Sequence, residues 1–157
     1  MTRKKDKGQW KELDGGASFA IPLTLIRHLN FRRLSPHSNK LVLDLGTQYT
    51  GFNNGYLCCS WSLMKDMGWN SSNTLRAAML ELEHYRIIVR TQQGGLNKPN
   101  LFAFTFRKID EKRGHDLEIR PTLTPSNAWK RDGIPDFQLP EPKRRRRSQT
   151  RLEAMAA

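Results

Sequence analysis

Apolar residues recur at helical spacing between Asn70 and Tyr85. They form a single stripe made of Leu75, Ala78, Met79 and Leu82. The opposite face is short or polar and carries Asn73, Arg76, Ala77 and His84. Three residues with side-chain oxygens that can cap a helix stand just before it, namely Asn70, Ser71 and Ser72. The pattern predicts a helix that buries the stripe and exposes the polar face.

The flanking segments predict a second helix and a hairpin. Trp61–Met67 reads as a short helix, which Gly68 can end in a left-handed conformation. After the long helix, Ile87–Val89 is β-branched and suits a strand. Gly94–Pro99 has the composition of a turn. A strand with one apolar face is then predicted from the alternation of Phe102, Phe104 and Phe106 with Ala103 and Thr105.

Two further helices are predicted upstream. Phe19–Leu29 has Pro22 at its first helical position. Its buried side is predicted as Leu25, Ile26 and Leu29, and its exposed cations as Arg27, Arg32 and Arg33. Ser35 and Pro36 start a longer helix as N-cap and first residue. Its stripe is Leu41, Val42, Leu45 and Tyr49. A turn over Thr50–Gly55 leads to a strand, Tyr56–Cys59, that can pair with the hairpin.

These elements predict one α+β domain over residues 18–110. Residues 1–17 are polar and charged and are predicted to be a flexible basic arm. Residues 111–130 form an extended segment, in which Leu117–Trp129 can either pack on the domain or contact a protein partner. Residues 131–157 read as a disordered basic tail, since three prolines precede five consecutive cations.

The charge balance narrows the class of partner. The chain has 157 residues, a formal net charge of +12 and an isoelectric point of about 10.2. Residues 19–109 alone hold eleven Lys and Arg against four Asp and Glu. An anionic partner is therefore expected, nucleic acid first and a membrane surface second. No apolar run approaches the roughly 18 residues of a membrane span, and no apolar segment of a signal peptide follows the basic start.

Chemistry-bearing residues are sparse. The histidines, His28, His37, His84 and His115, belong to unrelated elements, and no Ser/His/Asp grouping or carboxylate pair stands out. Cys58 and Cys59 are adjacent and lack the spacing of a zinc site. Two such cysteines suit a reducing cytoplasm. The sequence therefore predicts a cytoplasmic protein with no catalytic residues, no metal and no cofactor.

The order of elements resembles that of a winged helix-turn-helix domain. The pattern is carried by Trp61–Gly68, Ser72–Leu75, Met79, Leu82 and Ile87–Ile88. The longer frame, roughly Phe19 to Trp129, resembles small helix-turn-helix proteins of prophages and integrative elements. That likeness rests on Phe19–Pro22, Leu34–Pro36, Gln48–Tyr49, Asn53–Gly55 and Pro125–Trp129. Many winged helices have a glycine before the first wing strand, where this chain has Arg86, and a left-handed turn costs an arginine free energy.

The resemblance implies a mainly α fold with a small antiparallel β wing, and double-stranded DNA as the partner. The recognition helix would contact DNA through Ser71, Ser72, Asn73, Thr74, Arg76 and Ala77. The serines can cap the helix, contact phosphate, or do both. The wing would contribute Arg90, Gln92, Gln93, Asn97 and Lys98. Sequence-independent contacts are expected from the tail cations Lys143, Arg144, Arg145, Arg146 and Arg147, which could equally serve an acidic protein.

The function that this resemblance implies is transcription regulation within a mobile element, in a bacterial, nucleoid-associated setting. Two other functions remain open. One is an accessory protein for replication initiation or DNA processing, and the other is a protein-interaction adaptor that binds no DNA. Winged-helix proteins often bind inverted half-sites as dimers. Since the sequence shows no long dimerisation helix, a monomer and a homodimer that forms on DNA both remain open.

Overall fold

The computed structural model describes residues 16–114 and 117–141. Within them the chain forms five α-helices, a three-stranded antiparallel sheet and a short 3-10 helix. The helices are α1 (Leu23–Arg27), α2 (Leu29–Arg32), α3 (Pro36–Thr47), α4 (Trp61–Asp66) and α5 (Ser72–His84). The strands are β1 (Leu57–Cys58), β2 (Ile88–Gln92) and β3 (Leu101–Phe104), and the 3-10 helix is Ala128–Lys130. The predicted α+β class is confirmed.

The two long helices start where the sequence predicted. The Ser35 hydroxyl accepts a hydrogen bond from the Ser38 amide, and Pro36 occupies the first turn of α3. Ser71 caps α5 in the same way, through the Thr74 amide. The two helices pack against each other. Their predicted stripes supply the buried residues Leu41, Val42, Leu45, Leu75, Ala78 and Leu82.

The sheet has the order β1-β3-β2, with β3 in the centre. Leu57 of β1 lies opposite Phe102, and Ile88 of β2 lies opposite Phe104. The predicted pairing of the short strand with the hairpin is therefore confirmed. Phe102 and Phe104 are fully buried and join the core formed by α3 and α5. Arg86, between α5 and the sheet, has φ +58 and so adopts the left-handed conformation despite its side chain.

The sequence predicted one apolar face for the strand at Phe102–Phe106, and the structure buries its other face as well. Ala103 and Thr105 are as buried as the phenylalanines between which they alternate. The reason is the segment that follows, which covers this face through three backbone hydrogen bonds. The Glu118 amide donates to Thr91 O, the Thr122 amide to Ile109 O, and the Asn127 amide to Thr105 O. Of the two alternatives for Leu117–Trp129, packing on the domain is the one observed, and Trp129 is buried in the core.

The predicted first helix is wrong in its length and in its buried face. It is two short helices that meet at His28, which is extended with ψ 145°. The His28 ring caps α2 by accepting from the Asn30 amide, so the helical run is interrupted locally. Pro22 is the extended N-cap of α1 and not its first residue. Ile26 and Leu29 are exposed at 39% and 63%, and the buried residues are Leu25, Asn30 and Leu34.

The folded body also extends further than the predicted boundary at residue 130. Ile134 and Phe137 pack against the core, and the Phe137 amide donates to the Tyr85 hydroxyl at 2.9 Å. Arg33, predicted to stay outside, donates to Ile134 O and Asp136 Oδ1 at 3.0 Å each and stacks over Tyr85. Residues 131–137 are therefore a strap across α2 and the end of α5. The predicted basic arm up to residue 15 and the tail from residue 142 lie outside the described residues.

Candidate nucleic-acid interface

The turn between α4 and α5 has a defined geometry. Gly68 takes φ +85, and its amide donates to Lys65 O, which closes α4. Trp69 follows and is buried, and its indole N–H donates to Asp44 Oδ2 of α3 at 2.7 Å. The tryptophan therefore fixes the start of α5 relative to α3. The first half of α5 is held in one orientation by contacts on both sides of the turn.

The predicted contact residues of α5 lie mostly on its solvent-facing side. Ser71, Ser72, Asn73 and Arg76 are exposed, and Thr74 and Ala77 are half-buried. The Arg76 guanidinium has no hydrogen bond or ion pair with any residue in the described ranges. Ser71 already uses its hydroxyl as the helix cap. Asn73 and Arg76 are thus the two larger polar side chains of this half-helix that remain available to a partner.

The hairpin loop, residues 93–100, ends in a tight turn. Gly95 and Lys98 exchange two backbone hydrogen bonds of 2.9 and 3.2 Å, and Asn97 is left-handed at φ +60. The Asn100 side chain accepts from the Gly94 amide at 2.7 Å. A Cβ on Gly94 would lie 2.8 Å from Lys98 O, so glycine is needed for this close approach. The turn presents the side chains of Leu96, Asn97 and Lys98 to solvent.

One cleft is lined by predicted DNA-contact residues from both α5 and the hairpin loop. It has a volume of about 340 Å³ and lies between the start of α4, the first half of α5 and the hairpin loop. Ser72 lines it from the helix, Lys98 from the loop, and Trp61 from α4. Leu75, Met79 and Cys59 contribute apolar lining. The helix and the hairpin loop therefore form one continuous surface.

Three other hairpin residues that were predicted to contact DNA form side-chain contacts within the domain, unlike Lys98. Arg90 forms two bonds to the Glu83 carboxylate, at 3.2 and 2.9 Å, and lies over the Phe102 ring. Gln92 is buried, and its amide donates to Pro99 O at 3.0 Å. Gln93 is exposed and accepts from Arg90 through its side chain. Arg90 and Gln92 are thus internal braces of the hairpin. Their contact with DNA stays a prediction.

The structure also explains why the domain surface is basic. Three of the four acidic residues between 19 and 109 are occupied by internal partners. Asp44 binds Lys40 at 2.6 Å and the Trp69 indole, Glu83 binds Arg90, and Glu81 is buried. Exposed cations from the same range are Arg27, Arg32, Lys65, Arg76, Arg86, Lys98 and Lys108. Asp66 is the one remaining acid of this range and is exposed, so the seven exposed cations far outnumber the exposed acids and the domain surface is basic.

The described ranges contain no cluster of three His, Cys, Asp or Glu side chains that could hold a metal ion. Every helix in them is too short or too polar to cross a bilayer. The tail cations, residues 143–147, lie outside the described part of the chain, so their placement relative to the cleft stays a prediction. No protein family, curated protein or solved structure matches this chain.

Proposed function

We propose that the protein binds double-stranded DNA in a sequence-preferring manner, as a winged helix-turn-helix protein, with α5 in the major groove and the hairpin loop on the adjacent backbone. One observation carries the proposal. Ser72 of α5 and Lys98 of the hairpin loop line one cleft that has no acidic side chain in its lining, and Asn73 and Arg76 are exposed on the same half of α5. A polar and cationic surface of this kind suits phosphate and base edges.

The dimensions support this docking. An α-helix with its side chains is about 10–12 Å across, and the major groove is about 12 Å wide. Side chains near the start of such a helix reach base edges first. The Asn73 amide can pair with adenine, and the Arg76 guanidinium can bind guanine through two hydrogen bonds. Ser72 and Lys98 are then the phosphate contacts on either side of the cleft.

The proposed biological role is transcription regulation within a mobile element, supported by the resemblance of residues 19–129 to prophage and integrative-element proteins. An origin-binding role would use the same surface. Footprinting on the DNA that flanks the protein's own gene separates the two roles, because a promoter and a repeated origin give different patterns. For the adaptor alternative, Trp129 of the Leu117–Trp129 segment is 2% exposed and packs in the core, whereas Leu123 is 97% exposed.

The test is equilibrium binding to a selected cognate duplex and a scrambled duplex, measured for wild type, Asn73→Ala, Arg76→Ala and Lys98→Ala. Loss of a base contact should reduce the discrimination between the duplexes by about 1–3 kcal/mol. Lys98→Ala should weaken both duplexes alike and lower the salt slope of log K. Arg120→Ala is the matched control, because Arg120 is also exposed but lines a different cleft with Tyr56 and Lys112.

Two results would overturn the proposal. One is an absence of measurable binding to either duplex at low salt. The other is an Arg120→Ala variant that loses as much affinity as Arg76→Ala, because general charge and not this surface would then account for the binding.

A further inference from the structure

Arg86 has an unfavourable backbone conformation and a side chain that forms no polar contact within the described ranges. Its φ of +58 is a conformation that glycine adopts freely and an arginine only at a cost. The backbone is held there by two contacts, since the Arg86 amide donates to Glu83 O and the Thr105 hydroxyl donates to Arg86 O. The guanidinium is exposed and has no hydrogen bond or ion pair within the described ranges. Stability of the fold alone therefore does not account for arginine at this position.

Arg86 lines a cleft with a volume of about 500 Å³. The cleft lies between the last turn of α5, the outer face of the hairpin and the segment 117–128 that covers part of that face. Its walls are mainly apolar and come from Ile88, Val89, Ile109, Ile119 and Ala128. Hydroxyls are supplied by Thr105, Thr122 and Ser126. This volume and this mixture are typical of small-molecule sites.

The charges around the cleft define the kind of occupant. Glu83 and Arg90 also line it, but they bind each other at 2.9 Å and so compensate one another. His84, the remaining titratable side chain of the lining, uses Nε2 to donate to Pro135 O. Among the residues that the structure describes, no partner is found for one cationic group of this apolar cleft, that of Arg86. An occupant with an apolar body and a single anionic group would satisfy both features.

We propose that this cleft binds a small apolar carboxylate, whose carboxylate group pairs with Arg86 and whose body lies against Val89, Ile109 and Ile119. The site is separate from the α5–loop cleft and does not depend on DNA binding. Glu83 and His84 belong to the last turn of α5, so an occupant contacts the helix that the proposed function places on DNA. The site is thus suited to an effector molecule.

The test is binding of octanoate, with octanol as the uncharged counterpart, to the full chain by calorimetry and by NMR shift mapping. Wild type should bind octanoate saturably at one site, with the shifts centred on Val89 and Ile119. Arg86→Gly should weaken octanoate at least tenfold, as expected for the loss of a charge-assisted bond. Its affinity for octanol should stay the same. Its melting temperature should be unchanged or higher, because glycine suits a positive φ.

Three variants complete the design. Arg86→Lys keeps the charge and should stay within a few-fold of wild type. Asn97→Gly removes the left-handed side chain of the hairpin turn and should bind both compounds as wild type does. Ile119→Trp should fill the cleft and block both compounds while thermal unfolding remains cooperative.

The proposal is overturned if Arg86→Gly binds octanoate as tightly as wild type, or if octanol binds wild type as well as octanoate does. It is also overturned if octanoate does not saturate or if its shifts map to another surface. None of these measurements includes DNA, so a failure here is distinct from a failure of the proposed interface.

Discussion

The carboxylate of Glu81, in α5, caps the amino end of α3 through Ser35. Both carboxylate oxygens lie 3.2 Å from the Ser35 amide, and Oε2 lies 2.6 Å from the Ser35 hydroxyl. The Ser38 hydroxyl donates to the same oxygen. Glu81 is buried and forms no ion pair with any residue that the structure describes. The positive end of the α3 dipole and three donors, the Ser35 amide and the hydroxyls of Ser35 and Ser38, stabilise the carboxylate instead.

Replacing this carboxylate should therefore destabilise the fold. Glu81→Gln puts an amide NH₂ group among hydrogen-bond donors, and we expect a loss of about 1–3 kcal/mol of unfolding free energy in a denaturant titration. Glu111→Gln, at an exposed position, is the control and should change it by less than about 0.5 kcal/mol. Equal, small effects of the two variants would contradict the capping role of Glu81.

Leu82 tests the packing of α5 in the core. Its side chain is fully buried, so Leu82→Ala should cost about 2–5 kcal/mol through reduced burial and the cavity left behind. Leu43 on α3 is 59% exposed and provides the matched control, for which we expect less than about 1 kcal/mol. Thermal and denaturant unfolding measure the change in stability for the Leu82 variant and for the Leu43 control. A Leu82→Ala protein that melts with wild type would show that α5 does not pack as described.

The strap can be tested through Asn30. Its amide group donates to Trp129 O at 2.7 Å and to Arg131 O at 2.8 Å, and its oxygen accepts from Arg33. Asn30→Ala leaves these partners unsatisfied and should cost about 1–3 kcal/mol. It should also speed tryptic cleavage after Lys130 and Arg131, since the backbone there loses its brace. Asn73→Ala, on the exposed side of α5, should change neither measurement.

The adjacent cysteines should differ in reactivity. Burial, together with the neighbouring Cys58 thiol, raises the pKa of the Cys59 thiol above its ordinary value. The unfolded chain therefore releases this proton first, and the stability that Cys59 contributes is complete below its ordinary pKa of 9.0 and is lost as the pH rises above it. Iodoacetamide should label Cys58 well before Cys59 in native protein.

The variants Cys58→Ala and Cys59→Ala isolate each thiol for this comparison. Wild type should lose stability faster than Cys59→Ala between about pH 9 and 10.5, by at most about 1.4 kcal/mol per pH unit. Rapid labelling of the remaining thiol in native Cys58→Ala would contradict the burial of Cys59.

Residues 143–147 hold five consecutive cations. If they bind phosphates, truncation after Pro142 should weaken binding to all duplexes alike and lower the salt slope of log K by up to about 0.9 for each phosphate that the tail no longer neutralises. A salt titration of intact and truncated protein on a cognate and a scrambled duplex measures this. An unchanged slope would assign the tail to another partner, and a changed sequence preference would move the specificity away from α5.

Periodic segments could be predicted from the sequence because their signals are local. The stripe of α5 and the Ser35–Pro36 start of α3 depend on residues within a few positions of one another, and both lie as expected. Glu81 could not be predicted as a buried residue. The groups that justify a carboxylate there are 43 and 46 positions away in the chain. A charge inside an otherwise periodic helix carries no sign of such distant partners.

At the candidate interface, too, the sequence predicts exposure from the helical period but not the side-chain contacts made in the folded structure. Exposure of Asn73 and Arg76 follows from the helical period, whereas Arg90 and Gln92 look like ordinary hairpin residues. Their engagement depends on a partner across the α5–β2 junction and on the bulge between Arg90 and Gln92. The Arg86 cleft exists because residues 117–128 lie over the sheet, and composition alone left that segment with two alternatives. The contacts of Arg90 and Gln92 span only seven positions but depend on how the hairpin folds back, whereas the Arg86 cleft depends on contacts between distant segments.

The strap has a consequence for how the chain matures during its synthesis. Asn30 and Arg33 find their partners between residues 129 and 136, at separations of 99 to 103 positions along the chain. The ribosome therefore delivers the amino-terminal helices long before the groups that anchor them exist. Contacts of such long range slow folding, and incomplete chains keep apolar surface exposed meanwhile. A chain that ends before residue 137 should accordingly expose apolar surface of the amino-terminal helices and be degraded readily.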